Sequence, residues 1–339
     1  MTAQSNYGTF GEAYRDSLKI LLSEGRRVPG TTDVRSPGSR FGESIRDTIE
    51  LTGYSFKIND PLACLLVSKA RPLRIPYCIG SLVWTLNGSD NLEEIVFYNL
   101  HGRALSDDGV HLSGAFGKRL FHYKEHLNQI DVILNKLKED NSSRRTTAMI
   151  AVPEDQVSGS REYPCAVGLQ YLLREGRLDA ITFMRSQSAA LVLPYDSFLF
   201  MSLQCVLSQR LGVEPGSYVH FSGSFHLYLD ELDLVQGVIK EETETLGLRD
   251  VLGPSLAFDK IRDFERHVRQ ACERRDVGTL NDLANQAKLE GPSAEPAKVV
   301  LLTHAFQRLS LKEQSRELAD RLNDPLKSLV IDSLMRGDA

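Results

Sequence analysis

The sequence predicts a mixed α/β (α+β) domain, with helices packed on a mixed sheet, followed by a helical C-terminal extension. Three observations predict it. Most of the apolar content of residues 54–235 falls in short runs of strand length. Two longer segments within that region carry helical patterns. Beyond residue 236 the chain turns charged, leucine-bearing and periodic. This order of elements suits one core of layered sheet and helix.

Taken in order, residues 25–40 (GRRVPGTTDVRSPGSR) are dense in Gly, Pro, Ser and Arg without periodicity and read as an exposed loop. They close an N-terminal segment, 1–40. The central domain, 41–235, contains strand candidates at Leu65–Val67, Ala148–Val152, Ala180–Met184 and Tyr218–Phe221. In Glu125–Lys138, Leu127, Ile130, Ile133, Leu134 and Leu137 fall at helical spacing, with polar residues on the other face. Ser197–Leu211 is apolar nearly all round, which predicts a buried helix, and Gly212 supplies its stop. The extension, 236–339, reads as helix from Asp259 to Ala287 and from Val299 to Leu334, divided by the breaker segment GPSAEP at 291–296.

Composition narrows the function. The 339 residues carry 40 Lys+Arg against 45 Asp+Glu, a formal net charge of −5, with 42% hydrophobic and 25% charged residues. That balance predicts a soluble globular protein and gives no electrostatic reason to bind nucleic acid or anionic lipid. No apolar run approaches the ~20 residues of a membrane-spanning helix, and MTAQSNYGTF lacks signal-peptide features. The five cysteines (64, 78, 165, 205 and 272) are scattered, odd in number and without a CxxC pair. They argue against a disulfide framework or a zinc ribbon and predict a reduced, cytoplasmic setting with no metal centre.

Single residues say little by themselves. Cys165 follows Pro164 and opens an apolar stretch, where a free cysteine is commonly a small buried hydrophobe. Asp196 directly precedes the predicted helix at 197–211, a position that suggests an N-cap contributing about 1 kcal/mol. Arg144 and Arg145 follow a polar loop, the usual setting of a solvated face. His226 and Tyr228 alternate as at a strand end.

Their order and spacing together say more. Pro164-Cys165 is followed by Gln170, Arg185-Ser186, Pro194-Tyr195-Asp196, Gly223 and His226-x-Tyr228. The phrases YPCAVGLQYLLREGRLDAITFMRSQSAALVLPYD and LGVEPGSYVHFSGSFHLYLDELD resemble the thymidylate synthase family, whose usual forms are PCH, Q-[FY], QRSxD, GxPFN and GDxHxY. LVWTLNGSDN, GAFGKRL, NQIDVILNKLKEDNSSRR and the loop ending in SRFG also correspond. The resemblance covers roughly residues 35–235 and implies a thymidylate synthase-like mixed sheet.

Carried over residue by residue, the resemblance implies that Cys165 adds as thiolate to pyrimidine C6, making C5 a nucleophile toward a one-carbon unit from 5,10-methylenetetrahydrofolate. Arg185 would stabilise that thiolate and, with Ser186 and Arg35, hold the 5′-phosphate of a pyrimidine nucleoside monophosphate. Arg144 and Arg145 would reach the partner's phosphate site, implying an obligate homodimer with shared active sites. Gln170 and Asp196 would face the base, with Asp196 also in the chemistry, and His226 and Tyr228 would bind the sugar 3′-hydroxyl.

The departures are as informative. Thymidylate synthases carry Asn where this chain has Asp196, whereas the family's cytidylate hydroxymethylases carry Asp. A carboxylate that shares a proton can accept from the cytosine amino group and donate toward N3. Ala166 replaces the His after the nucleophile and points the same way. The segment FYNLHGRALSDDG, 97–109, lacks the tryptophans that shield the reactive methylene, and the lone Trp84 aligns with a structural tryptophan. Water capture, and hence hydroxymethyl rather than methyl, follows. Ser81 and Ser188 stand where the family has a proton-transferring Glu and a pterin-holding Asp, and Asp90 or Glu94 offers a substitute carboxylate. The expected activity is 5-hydroxymethylation of dCMP or CMP. A C5-methyltransferase on the same nucleotide and a nucleotide-binding homologue without catalysis are the alternatives.

Overall fold

The computed structural model of the chain describes residues 5–30, 46–287 and 295–335. Its strands are β1 (Ser5–Tyr7), β2 (Arg26–Val28), β3 (Thr48–Ile58), β4 (Leu65–Val67), β5 (Thr147–Met149), β6 (Ala166–Arg174), β7 (Arg177–Ser188), β8 (Glu214–Tyr228) and β9 (Glu244–Leu246). Among the described residues, one mixed sheet has the order β1-β3-β8-β7-β6-β5, with β2 paired to β3, and β4 pairs with β9 separately. The β7–β8 and β1–β3 pairs are parallel and the other pairs of the large sheet antiparallel. A parallel neighbour requires a long crossover, and the Leu193–Leu211 helix between β7 and β8 is that crossover. The mixed α/β fold is as predicted.

Helices cover one side of the sheet. Phe10, Tyr14, Leu18 and Leu21 of the Phe10–Glu24 helix are fully buried, as are Phe198, Met201 and Leu203 of the crossover helix. On the other side Phe183 and Phe221, register partners on β7 and β8, stay 37% exposed each, with their rings 6.3 Å apart.

The in–out alternation changes parity at one level of two adjacent strands. On β8 it passes from Tyr218, His220 and Ser222 to Phe225 and Leu227, and on β7 from Met184 to Gln187. At the same level of β3, Gly53 has φ +68, which a side chain would strain. A Cβ on Gly223 would stand 3.0 Å from the Arg185 carbonyl oxygen, so glycine permits the close approach of β8 to β7. The kink redirects the ends of these strands toward one pocket.

Several element boundaries differ from expectation. The 25–40 loop contains β2, because Arg26–Val28 pairs antiparallel with Thr48–Glu50; residues 31–45, with Arg35, lie outside the described residues. The amphipathic helix runs Gln129–Glu139, because the Asn128 side chain caps it by accepting from the Asp131 N–H at 3.0 Å, and Leu127 falls in the preceding turn. Strand β5 stops at Met149, ahead of the turn begun by Pro153. The buried helix starts at Leu193 with Pro194 in its first turn, so Asp196 lies inside the helix and is not its N-cap.

The helical run 259–287 is two helices, Phe258–Glu273 and Val277–Gln286, divided where Arg275 takes φ 57 and Asp276 caps the second. The last stretch is three, Pro296–Arg308, Lys312–Ala319 and Leu326–Met335. Val268, Val300, Leu301 and Leu302 of these helices are fully buried in the same apolar core as Ile79 of the Ile75–Leu86 helix. Buried polar ties join them to the centre: Tyr98 OH donates to Glu265 Oε1 (3.0 Å), Arg269 pairs with Glu265 (3.0 Å) and Glu94 (3.2 Å), and His304 Nε2 meets the Phe97 carbonyl (2.7 Å). No helix among the described residues is long and apolar enough to cross a membrane.

Candidate active site

Strand register assembles the site. Ala166 opens β6 opposite Met184 of β7, and the Arg185 N–H donates to the Cys165 carbonyl at 2.8 Å, so Cys165 lies beside Arg185. One strand over, Ser186 and Ser188 pair with Ser224 and His226 of β8, and next again His226 and Tyr228 pair with Glu50 and Thr48 of β3. All of these except Ala166 and Met184 line one cavity of about 610 Å³, together with Arg161, Glu162, Gln187 and Asp196. That volume suits a nucleotide-sized ligand. A larger depression, about 690 Å³, between Phe121 and Arg262 shares no lining residue with it and holds no cysteine.

Cys165 is the exposed cysteine among five; the other four are buried. Loss of hydration in the cavity pushes its thiol pKa up, the Arg185 guanidinium pulls it down, and the Asp196 and Glu162 carboxyls push it up. The Arg185 Nη2 stands 3.8 Å from Sγ and donates to the Tyr163 carbonyl at 2.9 Å, while Nε donates to the Pro164 carbonyl at 3.0 Å. The guanidinium also stacks on the Tyr163 ring, 4.3 Å from its centroid. These fixed contacts hold the cation against the thiol, as a nucleophilic thiolate requires.

Asp196, in the first turn of the crossover helix, lines the same cavity. Burial raises its pKa to about 7, against a smaller downward pull from Gln187, whose Nε2 donates to Oδ2 at 3.0 Å. No ion pair to Asp196 is present among the described residues. At neutral pH this carboxyl is therefore poised between acid and carboxylate.

At the mouth, His226 is held neutral by burial, and its Nδ1 lies 3.5 Å from the Ser224 hydroxyl, which donates to Glu50 at 2.6 Å. Tyr228 packs edge-on against His226, with the Arg46 guanidinium 3.6 Å from its ring centroid. Arg46 in turn bonds Asp230 at 2.6 Å. His226 and Tyr228 are thus held by contacts within the chain itself.

Other predicted residues lie elsewhere. Gln170 does not reach the cavity: its Nε2 donates to the Arg144 carbonyl at 3.1 Å, across the β5 edge of the sheet. The glutamine bonded to Asp196 is Gln187. Arg144 and Arg145 do not line the cavity, and Arg35 lies outside the described residues. Nor do Asp90 and Glu94 line it; Glu94 pairs with Arg269.

Glu162 supplies a carboxyl that the sequence reading missed. It lines both the main cavity and an adjoining one of about 180 Å³, bounded by Tyr77, Ser81, Trp84, Asn99 and His101. Burial raises its pKa, and the Gly114 N–H donates to Oε2 at 2.8 Å. The one signal for it was its place three residues before Cys165, in REYPC. Ser81 donates to the Cys78 carbonyl at 3.0 Å on that second cavity's wall, and Ser188 lines the first.

The thymidylate synthase family model matches residues 13–266. The chain is 25% identical over 273 residues to a deoxyuridylate hydroxymethyltransferase of Bacillus phage SP01, covering 75% of this chain and 65% of that protein. It is 31% identical over 156 residues to a thymidylate synthase of Bacillus licheniformis, covering 41% and 56%. With a putative thymidylate synthase of Methanocaldococcus jannaschii it shares 33% over 122 residues, covering 34% and 55%. The chain thus spans less than two thirds of the length of each of these three relatives. The family match extends over most of the chain and includes every residue assembled around Cys165, so the chain belongs to the thymidylate synthase family.

Proposed function

We propose that the chain is a one-carbon transferase that 5-hydroxymethylates a cytidine monophosphate, dCMP or CMP, with 5,10-methylenetetrahydrofolate as the donor. The observation that carries this reading is Asp196, a half-neutral carboxyl in the cavity that also holds Cys165 and Arg185. As an acid it donates to cytosine N3 through one oxygen and accepts from the C4 amino group through the other. Uracil presents a donor at N3 and an acceptor at C4, so its C4 oxygen would face an oxygen of the ionised carboxylate.

The chain's own groups then divide the work. The Cys165 thiolate, held by Arg185, adds to C6 and turns C5 into a carbon nucleophile. Glu162, with a pKa raised by burial, lines both cavities, where it would take the C5 proton and pass it to the folate nitrogen that leaves the one-carbon unit. Water then adds to the exocyclic methylene as the thiolate leaves C6. Arg185 and Ser186 serve the phosphate, and His226 and Tyr228 the sugar. The small cavity fits the one-carbon donor's ring system in chemistry, with Tyr77 and Trp84 for stacking and Asn99 and His101 for polar edges. Those same polar edges support water capture at the methylene, with no net oxidation or reduction.

A homodimer sharing its active sites is part of the reading. Phe183 and Phe221 leave apolar sheet surface uncovered, and Arg144 and Arg145 lie away from their own cavity. The assembled cavity residues all lie within 41–235, and the described residues beyond 236, helical apart from β9, are read as an extension that supports them. A second reading, hydroxymethylation of deoxyuridylate, is favoured by the printed name of the phage relative.

The test is incubation of dCMP, CMP and dUMP separately with the folate, followed by mass measurement of the nucleotide. A mass gain of CH2O on a cytidylate is expected. A gain of CH2 with dihydrofolate formation would overturn the hydroxymethyl reading, preference for dUMP the cytidylate one, and inertness toward all three the catalytic one.

A further inference from the structure

Behind Asp196 a line of side chains runs into the core. Gln187 donates to Asp196 Oδ2 through Nε2 at 3.0 Å, and its Oε1 meets His220 Nε2 at 3.1 Å. His220 Nδ1 meets the Tyr218 hydroxyl at 3.0 Å, which lies 3.1 Å from the Thr182 hydroxyl. All four supporting residues are essentially inaccessible to solvent. His220 also stacks on Phe56, with ring centroids 5.2 Å apart and planes within 9°. Nothing in the catalytic reading uses His220, Tyr218 or Thr182.

Such a line has a fixed direction. With the Gln187 amide donating to the carboxyl, its oxygen must accept, so His220 carries its proton on Nε2. Nδ1 is then bare and must accept from Tyr218. Desolvation forbids a second proton on the imidazole and pushes its pKa down to about 3, so His220 stays neutral and the polarity cannot be lost by protonation.

We infer that Gln187, set in orientation by His220, is a positioning residue for base choice, fixing Oδ2 of Asp196 as the accepting oxygen and leaving Oδ1 to carry the proton that meets the ligand. The inference rests on the cytidylate reading above. An oxygen that already accepts an N–H is the poorer site for a proton. The acid proton therefore resides on Oδ1, and Oδ2 keeps a second lone pair for the C4 amino group. Without the amide, either oxygen can carry the proton and the carboxyl can rotate. The donor–acceptor order that separates cytosine from uracil is then no longer imposed.

The experiment measures dissociation constants for dCMP and dUMP by calorimetry on the full chain, so that no turnover is required. Gln187→Met removes the amide at similar volume. His220→Phe keeps a ring on Phe56 but removes the N–H, and His220→Gln restores a donor. Wild type should prefer dCMP. Gln187→Met and His220→Phe should each shrink the dCMP:dUMP ratio by about tenfold, chiefly through weaker dCMP binding, as expected for losing one oriented hydrogen bond to a charged or acidic group, and His220→Gln should recover most of it. Thermal melts identify any variant that fails to fold, and the ratio in the remaining variants decides. A preserved ratio in both Gln187→Met and His220→Phe overturns the inference while leaving the cytidylate reading intact. Wild-type preference for dUMP overturns that reading, and the inference with it.

Discussion

Two walls of one cavity give a buried acidic group different neighbours. Cys165 and Asp196 both lose hydration, and in both burial raises the pKa. Beside Cys165 the chain places a guanidinium, 3.8 Å from the sulfur and locked by two carbonyls and a tyrosine ring. Beside Asp196, among the described residues, it places a neutral amide and no ion-pair partner. Around Cys165 the arginine offsets part of the rise that burial imposes, whereas around Asp196 no cation opposes it among the described residues, although the two groups are close enough to feel one another. The difference teaches that desolvation is common to the pocket and the counter-charge is local. Chemical roles follow the placement of one arginine.

The first way to break that comparison is to remove the nucleophile. Cys165→Ala should abolish turnover, by about 10⁴-fold or more for a covalent mechanism, and should end tritium release from C5-labelled dCMP. Release that persists would show that the thiol is not the attacking group. A smaller effect should follow Arg185→Met, which leaves Cys165 desolvated without its cation. The thiol pKa should rise, so the thiolate absorbance near 240 nm should develop at higher pH than in wild type. A pocket missing one guanidinium should also lose about a hundredfold in kcat/KM. If the absorbance curve stays in place, Arg185 serves only the phosphate.

Legibility in the sequence followed the same division between local and assembled features. The motif residues Cys165, Arg185, Ser186, Asp196, His226 and Tyr228 surround one cavity, because their spacing matches the alternation and crossover of β6, β7 and β8. Gln170 was misassigned, because a β6 position four residues after the pocket's end of the strand has already left the cavity. Gln187 and Glu162 went unread because their meaning is tertiary. Gln187 gains a role only where a parity change turns it inward, and Glu162 only where Gly114 leaves room for its carboxyl. A similar limit explains the missed start of the crossover helix. The apolar run suggested a start at Ser197, so Asp196 was read as a cap, whereas Pro194 already lies in the first turn. The C-terminal helices were visible as helices, but their burial against the Ile75–Leu86 helix was not.

The smallest expected effect concerns stability. Asp196 is an ordinary carboxyl in the unfolded chain and titrates near about 7 in the fold. Between those values the folded chain holds a proton that the unfolded chain releases, so unfolding is opposed by acid and favoured by base. The contribution is fully present below the unfolded pKa and is lost as pH rises through the folded one. Wild type should therefore lose melting temperature between about pH 5 and about pH 8 by more than Asp196→Asn, which cannot ionise there. A difference of about 2–4 °C for each kcal/mol is the scale to look for. Glu162, Glu231 and Glu265, whose pKa values burial also raises, are common to both proteins and cancel in the comparison. Equal losses in the two proteins would mean that Asp196 is already ionised in the folded cavity, and the contrast between the two walls would fail with it.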